Sequence, residues 1–458
     1  MISLSEVVTA TKGIVCGVEK ERLFKGVTTD SRNVGKDDLF VALIGENFDG
    51  HDYCQAALEK GAAVVLVQKK VSGLTTEATT ILVEDTLTAY QQIAHTYRKA
   101  QKNLKVIAIT GSNGKTSTKD LIAACLMKKY KVVKTQANYN NEIGLPKTLL
   151  TIKPDTEIVV LEMGMRGFGQ IRALKALAEP DVVVITNVGE THMELLGSME
   201  NIAKAKSEIL EGMNETQFAV LNNDDVFVRK METGAKKVTY GIVNDACVRA
   251  TNIVTSGKGT AFTYTSKITG EEQKITMPLI GQHNVMNTLA AIAVAEKMGV
   301  SSRDIAAALA EAKLTEKRQE ISHFGDITVI NDAYNASPAS MEAAVKTLAE
   351  VKKSNGRGRS IAVLADMLEL GSSSEAAHRK VADCLARESI DFVIAYGAES
   401  HATIDQAVKI GLKAVHCDDK EAAAAELKKN IRKDDIVLFK GSHSMQVDKV
   451  IELVFNNK

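Results

Sequence analysis

Short apolar runs recur along this chain, and most of them do not alternate with polar positions. DLFVAL, AAVVLV and TTILVED fall in the first hundred residues, and KVIAIT (105–110), EIVVLE (157–162), DVVVITNV (181–188) and FAVLN (218–222) follow. After Lys313 come DITVIND, SIAVLAD, DFVIAYG, AVHCD and DIVLFKG. Uninterrupted runs of this length predict strands of a parallel sheet covered on both faces. Between them lie helical patterns, including DYCQAALEKG, a helix near 86–100, TSTKDLIAACLMKKY and a helix over 284–298. Residues 236–280 change character, with alternating stretches such as TAFTYTS and QKITMPL, which predict an antiparallel extension.

The expected class is therefore α/β, and 458 residues are too many for one ordinary domain. Three domains are expected: a small α/β domain over 1–100, a central one over 101–314 with a mostly parallel sheet, and a Rossmann-like one over 315–458. Charge adds only exclusions. With 57 basic and 57 acidic side chains there is no electrostatic case for nucleic acid or a membrane surface. The six cysteines show no C-x-x-C pair, the reduced-thiol pattern of a cytoplasmic protein, and no stretch is apolar enough to span a bilayer.

The candidate chemistry starts at 110–117, TGSNGKTS. Gly111 and Gly114 are three apart, whereas the common phosphate loop G-x-x-x-x-G-K-[ST] spaces its glycines by five. The physics of the shorter loop is nonetheless that of a phosphate cradle. Ser112 and Asn113 lie between glycines that let backbone approach an anion, Lys115 adds charge, Thr116 can hold Mg²⁺, and Ser117 continues the helix start. Strand, loop and helix in this order predict a site for a nucleoside triphosphate in the central domain.

Three more residues are candidates. Glu162 closes the run EIVVLE, either as a solvated strand-end acid or as a carboxylate for Mg²⁺. His192, in TNVGETHME, stands where such sheets bind ligands or serves only the loop. At about 100° per residue, Lys206 shares a helical arc with Met199, Ile202, Ile209 and Leu210, while Lys204 and Glu208 lie on the opposite, wet face. Such an amine either snorkels out or is desolvated, with a lowered pKa and nucleophilic character.

Taken together, TGSNGKTSTK, QANYNNEIGLP (136–146), LEMGMRGFGQI (161–171), ITNVGETHMELLGSMENIAKAKSEI (185–209), GQHNVMN (281–287) and NDAYNASP (331–338) resemble the Mur ligases, and the resemblance runs from TDSRNVGKDDLF to VLFKGSHSM. It implies an ATP- and Mg²⁺-dependent ligase forming an amide bond through an acyl phosphate, with UDP-N-acetylmuramoyl-tripeptide and D-Ala-D-Ala as partners and a monomeric state. Lys115 would contact the β- and γ-phosphates, Thr116 and Glu162 one Mg²⁺, and His192 with carbamylated Lys206 a second. Asn284 and Asn287 would lie on the adenine side, Arg318 at the nucleotide and Asp332 near the ribose. Asn335 is grouped with Asp332, and either could be a simple turn former. Ser31 and Arg32 match the UDP-binding turn, and Asn138, Asn140 and Asn141 a loop near phosphates and substrate. At 443–445 the chain reads HSM, where relatives commonly carry arginine after the serine, a departure from the family pattern. Another amide ligase with the same ATPase core, including the folylpolyglutamate type, and a non-catalytic nucleotide switch are the alternatives.

Overall fold

A computed structural model describes residues 1–17, 20–75 and 78–456, and packing divides it into two compact units. One comprises Met1–Ala108, Tyr130–Gly164 and Gln170–Asp181; the other comprises Ile109–Lys129, Met165–Gly169 and Val182–Lys458.

In the first unit, β1 (Ile2–Ser3) pairs with β3 (Leu23–Phe24) beside α1 (Leu4–Thr11), a helix closed by a reciprocal Ser3–Glu6 cap. A five-stranded sheet holds β2 (Ile14–Cys16), β4 (Val27–Thr28), β5 (Asp38–Val41), β6 (Ala62–Val67) and β7 (Thr80–Leu82) in the order β2-β7-β6-β5-β4. Only β2 is antiparallel to its neighbour. Phe40 and Val65 pack with Cys54 and Ala57 of α2 (Cys54–Glu59), and Leu39, Val41, Val64 and Leu66 are equally buried. Both faces are thus covered, the physical cause of the continuous apolar runs. Helix α3 (Thr86–Ala100) follows. The same unit pairs β9 (Val132–Lys134) with β10 (Ile158–Glu162) in parallel, and holds α5 (Gly144–Leu149) and α6 (Gln170–Ala178).

Strand β8 (Lys105–Thr110) runs directly into the glycine loop and α4 (Lys115–Leu126). In the second unit β11 (Val182–Ile185), β12 (Phe218–Asn222) and β13 (Lys236–Gly241) lie parallel in succession. Between β11 and β12 come α7 (Met193–Leu196) and α8 (Met199–Ser207). The antiparallel extension expected over 236–280 is shorter than that span. β13 is parallel to β12, and β14 (Val248–Ser256) is parallel to β13; the sheet reverses only at β15 (Gly259–Ser266) and β16 (Glu272–Met277). Alternation reports that one face of a strand is wet, and does not report its direction. Helices α9 (Gln282–Lys297) and α10 (Ser302–Ala310) complete this part, α9 being buried almost all round.

The C-terminal part is a six-stranded sheet in the order β17-β18-β22-β19-β20-β21. Its strands are β17 (Glu320–Phe324), β18 (Ile327–Asn331), β19 (Ser360–Ala365), β20 (Phe392–Tyr396), β21 (Ala414–Cys417) and β22 (Ile436–Lys440). All neighbours are parallel except β17 against β18. Alternate residues of one strand serve opposite cores. Ala362, Leu364 and Leu438 pack against α11 (Pro338–Asn355) and α12 (Ser374–Arg387), whereas Ile361, Val363 and Phe439 pack against α14 (Lys420–Asn430) and α15 (Val447–Phe455). The remaining helix is α13 (His401–Lys409). This doubly wound arrangement is the Rossmann-like expectation. Among the described residues no helix is long and apolar enough to cross a membrane.

Leu438 is fully buried in this sheet. Leu438→Ala should cost about 2–5 kcal/mol of stability, read as a lower urea midpoint by circular dichroism. Val408→Ala, on an exposed face of α13, should stay within about 0.5 kcal/mol.

Candidate functional site

The backbone of the loop dictates its glycines. Gly111 has φ +147°, and a Cβ there would stand 1.9 Å from Thr186 Oγ1; Gly114 has φ +80°, and a Cβ would stand 2.4 Å from Asn287 Oδ1. At Gly111 both the backbone and the space disfavour any side chain, and at Gly114 the left-handed backbone favours glycine while a Cβ would press on the Asn287 side chain. The loop is tied to the segment after β11. Ser112 N donates to Asn187 O (2.9 Å), Asn113 N to Asn187 Oδ1 (2.9 Å), and Thr186 Oγ1 to Asn113 O (2.7 Å). Behind that segment, Asn222 Nδ2 donates to Thr186 O (2.8 Å) and Val188 N to Asp225 Oδ2 (2.9 Å). The cradle is therefore held before any ligand arrives. Lys115 Nζ curls over it, donating to Gly111 O (2.8 Å) and Ser112 O (3.1 Å), and Thr116 and Ser117 are buried in the first turn of α4.

Lys206 is only 2% exposed, and no ion pair to it is found among the described residues. Burial, reinforced by the charge of Lys115, pushes its amine well below the usual lysine range. The desolvated alternative thus holds over the snorkelling one. The expected wet position of Glu208 does not: Glu208 is buried, and its Oε1 accepts from Gly169 N (2.7 Å). The α-helix stops at Ser207 and Glu208–Leu210 form a 3₁₀ turn, so the 100° step no longer applies there.

His192 sits in the left-handed region, φ 57°, with its Nδ1 2.6 Å from Glu369 Oε2. Burial lowers its pKa against the opposing pull of Glu369, and Lys206 and Lys115 lower it further. In the first unit, Glu162 is 3% exposed at the end of β10; its Oε1 accepts from Asn140 Nδ2 (2.9 Å) and its amide donates to Thr135 Oγ1 (3.0 Å).

Beyond α4, a cavity of about 200 Å³ is lined by Pro278, Leu279, Ile280, Asn284, Gln319, Ile321 and Thr347. Asn284 Nδ2 donates to Ile280 O and Gln319 Oε1, both 2.9 Å. Apolar walls with amide edges suit a flat heteroaromatic ring. Asn287 instead packs on the glycine loop, where Thr118 Oγ1 donates to it (3.3 Å). Arg318 stacks on Tyr334, 3.9 Å from the ring centroid, and its buried Nε has no hydrogen-bond partner. Such an orphaned donor calls for an anion or acceptor that the protein itself does not supply. Asp332 pairs with buried Lys440 (2.6 Å) and accepts from Gln319 N (3.2 Å). Asn335 is exposed, its Oδ1 accepting only from the adjacent Ala336 amide (2.9 Å).

In the first unit, Arg32 is 85% exposed and forms a two-pronged pair with Asp30, whose pKa this pairing lowers to about 2. The Ser31 carbonyl accepts from Lys60 Nζ (3.0 Å). Asn141 Oδ1 caps α5 through Gly144 N (2.9 Å), and Asn138 is exposed. These side chains are placed by local turns. Gln319, Glu369, Asn187 and Lys440 escaped sequence reasoning. Only Lys440 carried a signal, a basic residue closing the apolar run DIVLFKG.

A pinned phosphate cradle, a ring-sized cavity and a buried, acid-free lysine define an α/β enzyme that uses a nucleoside triphosphate. Residues 109–295 match the model described as Mur ligase middle domain, 315–443 that described as Mur ligase, glutamate ligase domain, and 23–98 that described as Mur ligase family, catalytic domain. The chain belongs to the Mur ligase family, whose members are ATP-dependent amide ligases. It is 39% identical over 454 residues to a UDP-N-acetylmuramoyl-tripeptide–D-alanyl-D-alanine ligase of Bacillus subtilis, covering 98% of this chain and 97% of that one. Among solved structures it resembles MurF from Acinetobacter baumannii (TM-score 0.90, 28% identity, 99% and 98% covered). It also resembles MurF from Thermotoga maritima in complex with ADP (TM-score 0.82, 27% identity, 94% and 97% covered).

Two predictions follow from the loop and the lysine. Gly111→Ala should abolish ADP binding in calorimetry. Lys206→Met should raise Tm in carbonate-free buffer, because it replaces a buried ionisable amine, which folding strips of its favoured proton, with an apolar side chain. That advantage should shrink as pH rises toward 10.5, since below that value the unfolded chain binds a proton the folded one resists. A Met variant less stable than the parent at neutral pH would contradict the burial argument.

Proposed function

We propose that this chain joins the terminal carboxylate of UDP-N-acetylmuramoyl-tripeptide to the amine of D-Ala-D-Ala, consuming ATP and giving the UDP-linked pentapeptide, ADP and phosphate. The observation that carries the reading is the near full-length similarity to a ligase of that name, joined to a phosphate cradle of the spacing this reaction class uses. Residues 1–100 serve the UDP-sugar, with Ser31 and Arg32 in the UDP-binding turn; 101–314 serve ATP; 315–458 complete the site.

The carboxylate oxygen attacks the γ-phosphorus, the bond to the β-γ bridging oxygen breaks, and ADP leaves. The dipeptide amine then attacks the carbonyl carbon of the acyl phosphate, loses a proton, and phosphate departs with the former carboxylate oxygen. Two anions have to meet in the first step, and their repulsion grows in a site closed to water. Lys115 and the loop amides oppose it at the phosphates. Asn284 and the cavity beside Gln319 hold the base, Arg318 supplies its orphaned donor to the nucleotide, and Asp332 lies toward the ribose. Asn138 and Asn141 lie on the substrate side.

The donor set suits Mg²⁺. Among the described residues no cluster of three or more His, Cys, Asp or Glu forms a ready cage, and Mg²⁺ is commonly held by one or two protein oxygens, with waters and phosphate supplying the rest. Thr116 and Glu162 would hold one ion, and His192 with carbamylated Lys206 a second; bound there, the ions neutralise charge on the transferring phosphoryl group. The desolvated amine of Lys206 favours this modification. Its lone pair adds to carbon dioxide, the nitrogen loses a proton, and a carboxylate-like anion replaces a buried neutral amine.

Phosphate release with ATP, Mg²⁺ and the UDP-tripeptide should depend on added D-Ala-D-Ala; a nucleotide switch would be indifferent to the dipeptide. Lys206→Ala should lose most turnover and regain part of it with short-chain carboxylic acids. Full activity in Lys206→Ala would remove the second-ion assignment.

A further inference from the structure

The contact between His192 and Glu369 joins residues 177 positions apart in the chain. Both partners are non-glycine residues in the left-handed region, His192 at φ 57° and Glu369 at φ 63°. Such backbone costs energy and persists only where its surroundings impose it. The surroundings of Glu369 do so. Met367 and Leu370 on either side are buried in the core of the C-terminal sheet. Met367 N donates to His378 Nε2 (3.1 Å), and Leu368 N to Ser442 Oγ (2.9 Å). The side chain of Glu369 is thereby lifted out of the loop and presented to α7, where the Glu194 amide donates to the Glu369 carbonyl (3.4 Å). The second carboxylate oxygen lies 3.9 Å from Arg166 Nη2.

We propose that Glu369 is a positioning residue for His192: its carboxylate accepts a hydrogen bond from Nδ1–H, fixing the ring and leaving the Nε2 lone pair free to hold the second ion. An ionised carboxylate can only accept, so the 2.6 Å contact selects the Nδ1–H tautomer and leaves Nε2 bare. A metal-binding imidazole needs that arrangement, and a carboxylate behind it raises its basicity as a ligand. Because Glu369 belongs to the C-terminal sheet and His192 to the segment after β11, the histidine is aimed only while these two parts are docked. Two further bonds mark the same docking: Ser337 Oγ to Asn113 Oδ1 (2.8 Å), and Thr315 Oγ1 to Asp120 Oδ2 (2.7 Å). The ligand set is thus completed by a part of the chain that supplies no ligand.

This inference rests on His192 being the ligand proposed above, and the test separates the two. In full-length, metal-free protein labelled with ¹⁵N-histidine, the His192 signal, identified by its loss in His192→Gln, should report the Nδ1–H tautomer. Glu369→Ala and Glu369→Asn, the latter suited to left-handed backbone, should shift it toward Nε2–H. Glu369→Gln, whose amide oxygen still accepts, should retain it. With Mn²⁺ and a non-hydrolysable ATP analogue, the Ala and Asn variants should bind the second ion about 10–100-fold more weakly, with metal-free ADP affinity unchanged. An unaltered tautomer in both variants, or unaltered Mn²⁺ affinity beside a weakened His192→Gln, would overturn the positioning role. Should His192→Gln itself leave Mn²⁺ binding intact, the ligand assignment falls, and the tautomer alone judges Glu369.

Discussion

Buried basic nitrogen without a partner among the described residues is the constraint around which this protein is arranged. Lys206 is buried on a helix face beside the charge of Lys115, and the Nε of Arg318 is buried with no acceptor. Burying such groups in charged form destabilises a fold, and each would gain a partner when an anion binds. A triphosphate and a carboxylate are two such anions, and a carbamate on Lys206 would be a third, built in place.

The fold meets the constraint with rigidity. Strand β8 delivers the loop, and Thr186, Asn187 and Gly189 after β11 hold it by side-chain and backbone bonds, so phosphate binding needs little reorganisation. The C-terminal sheet is buried on both faces. Its contributions, Glu369 at His192, Ser337 at Asn113 and Asp332 with Lys440, come from segments just beyond its strands, where open parallel sheets place their chemistry.

Much of this was legible in the sequence because it is local. The runs EIVVLE and SIAVLAD lack alternation because both strand faces are buried, and glycines 111 and 114 are required by positive φ and close approach. Helical spacing put Lys206 on the apolar arc but left snorkelling and burial open, and the packing around it decides for burial. Glu208 was misplaced because the helix tightens at Ser207, one residue before it. The direction of β13 was missed because alternation carries no direction. Glu369 and Gln319 were invisible for a different reason: each acts through a partner distant in the chain, and a glutamate or glutamine in a loop has no spacing to betray it. Asn141 shows the converse, a residue singled out from the resemblance whose side chain also caps the helix that follows.

The central claim is that ATP's terminal phosphoryl group passes through an oxygen of the peptide carboxylate. Turnover of UDP-tripeptide bearing ¹⁸O at both oxygens of its terminal carboxylate, with ATP, Mg²⁺ and D-Ala-D-Ala, tests it most directly, the released phosphate being read by mass. The account predicts one ¹⁸O in each phosphate; phosphate free of label, beside labelled pentapeptide or water, would contradict it.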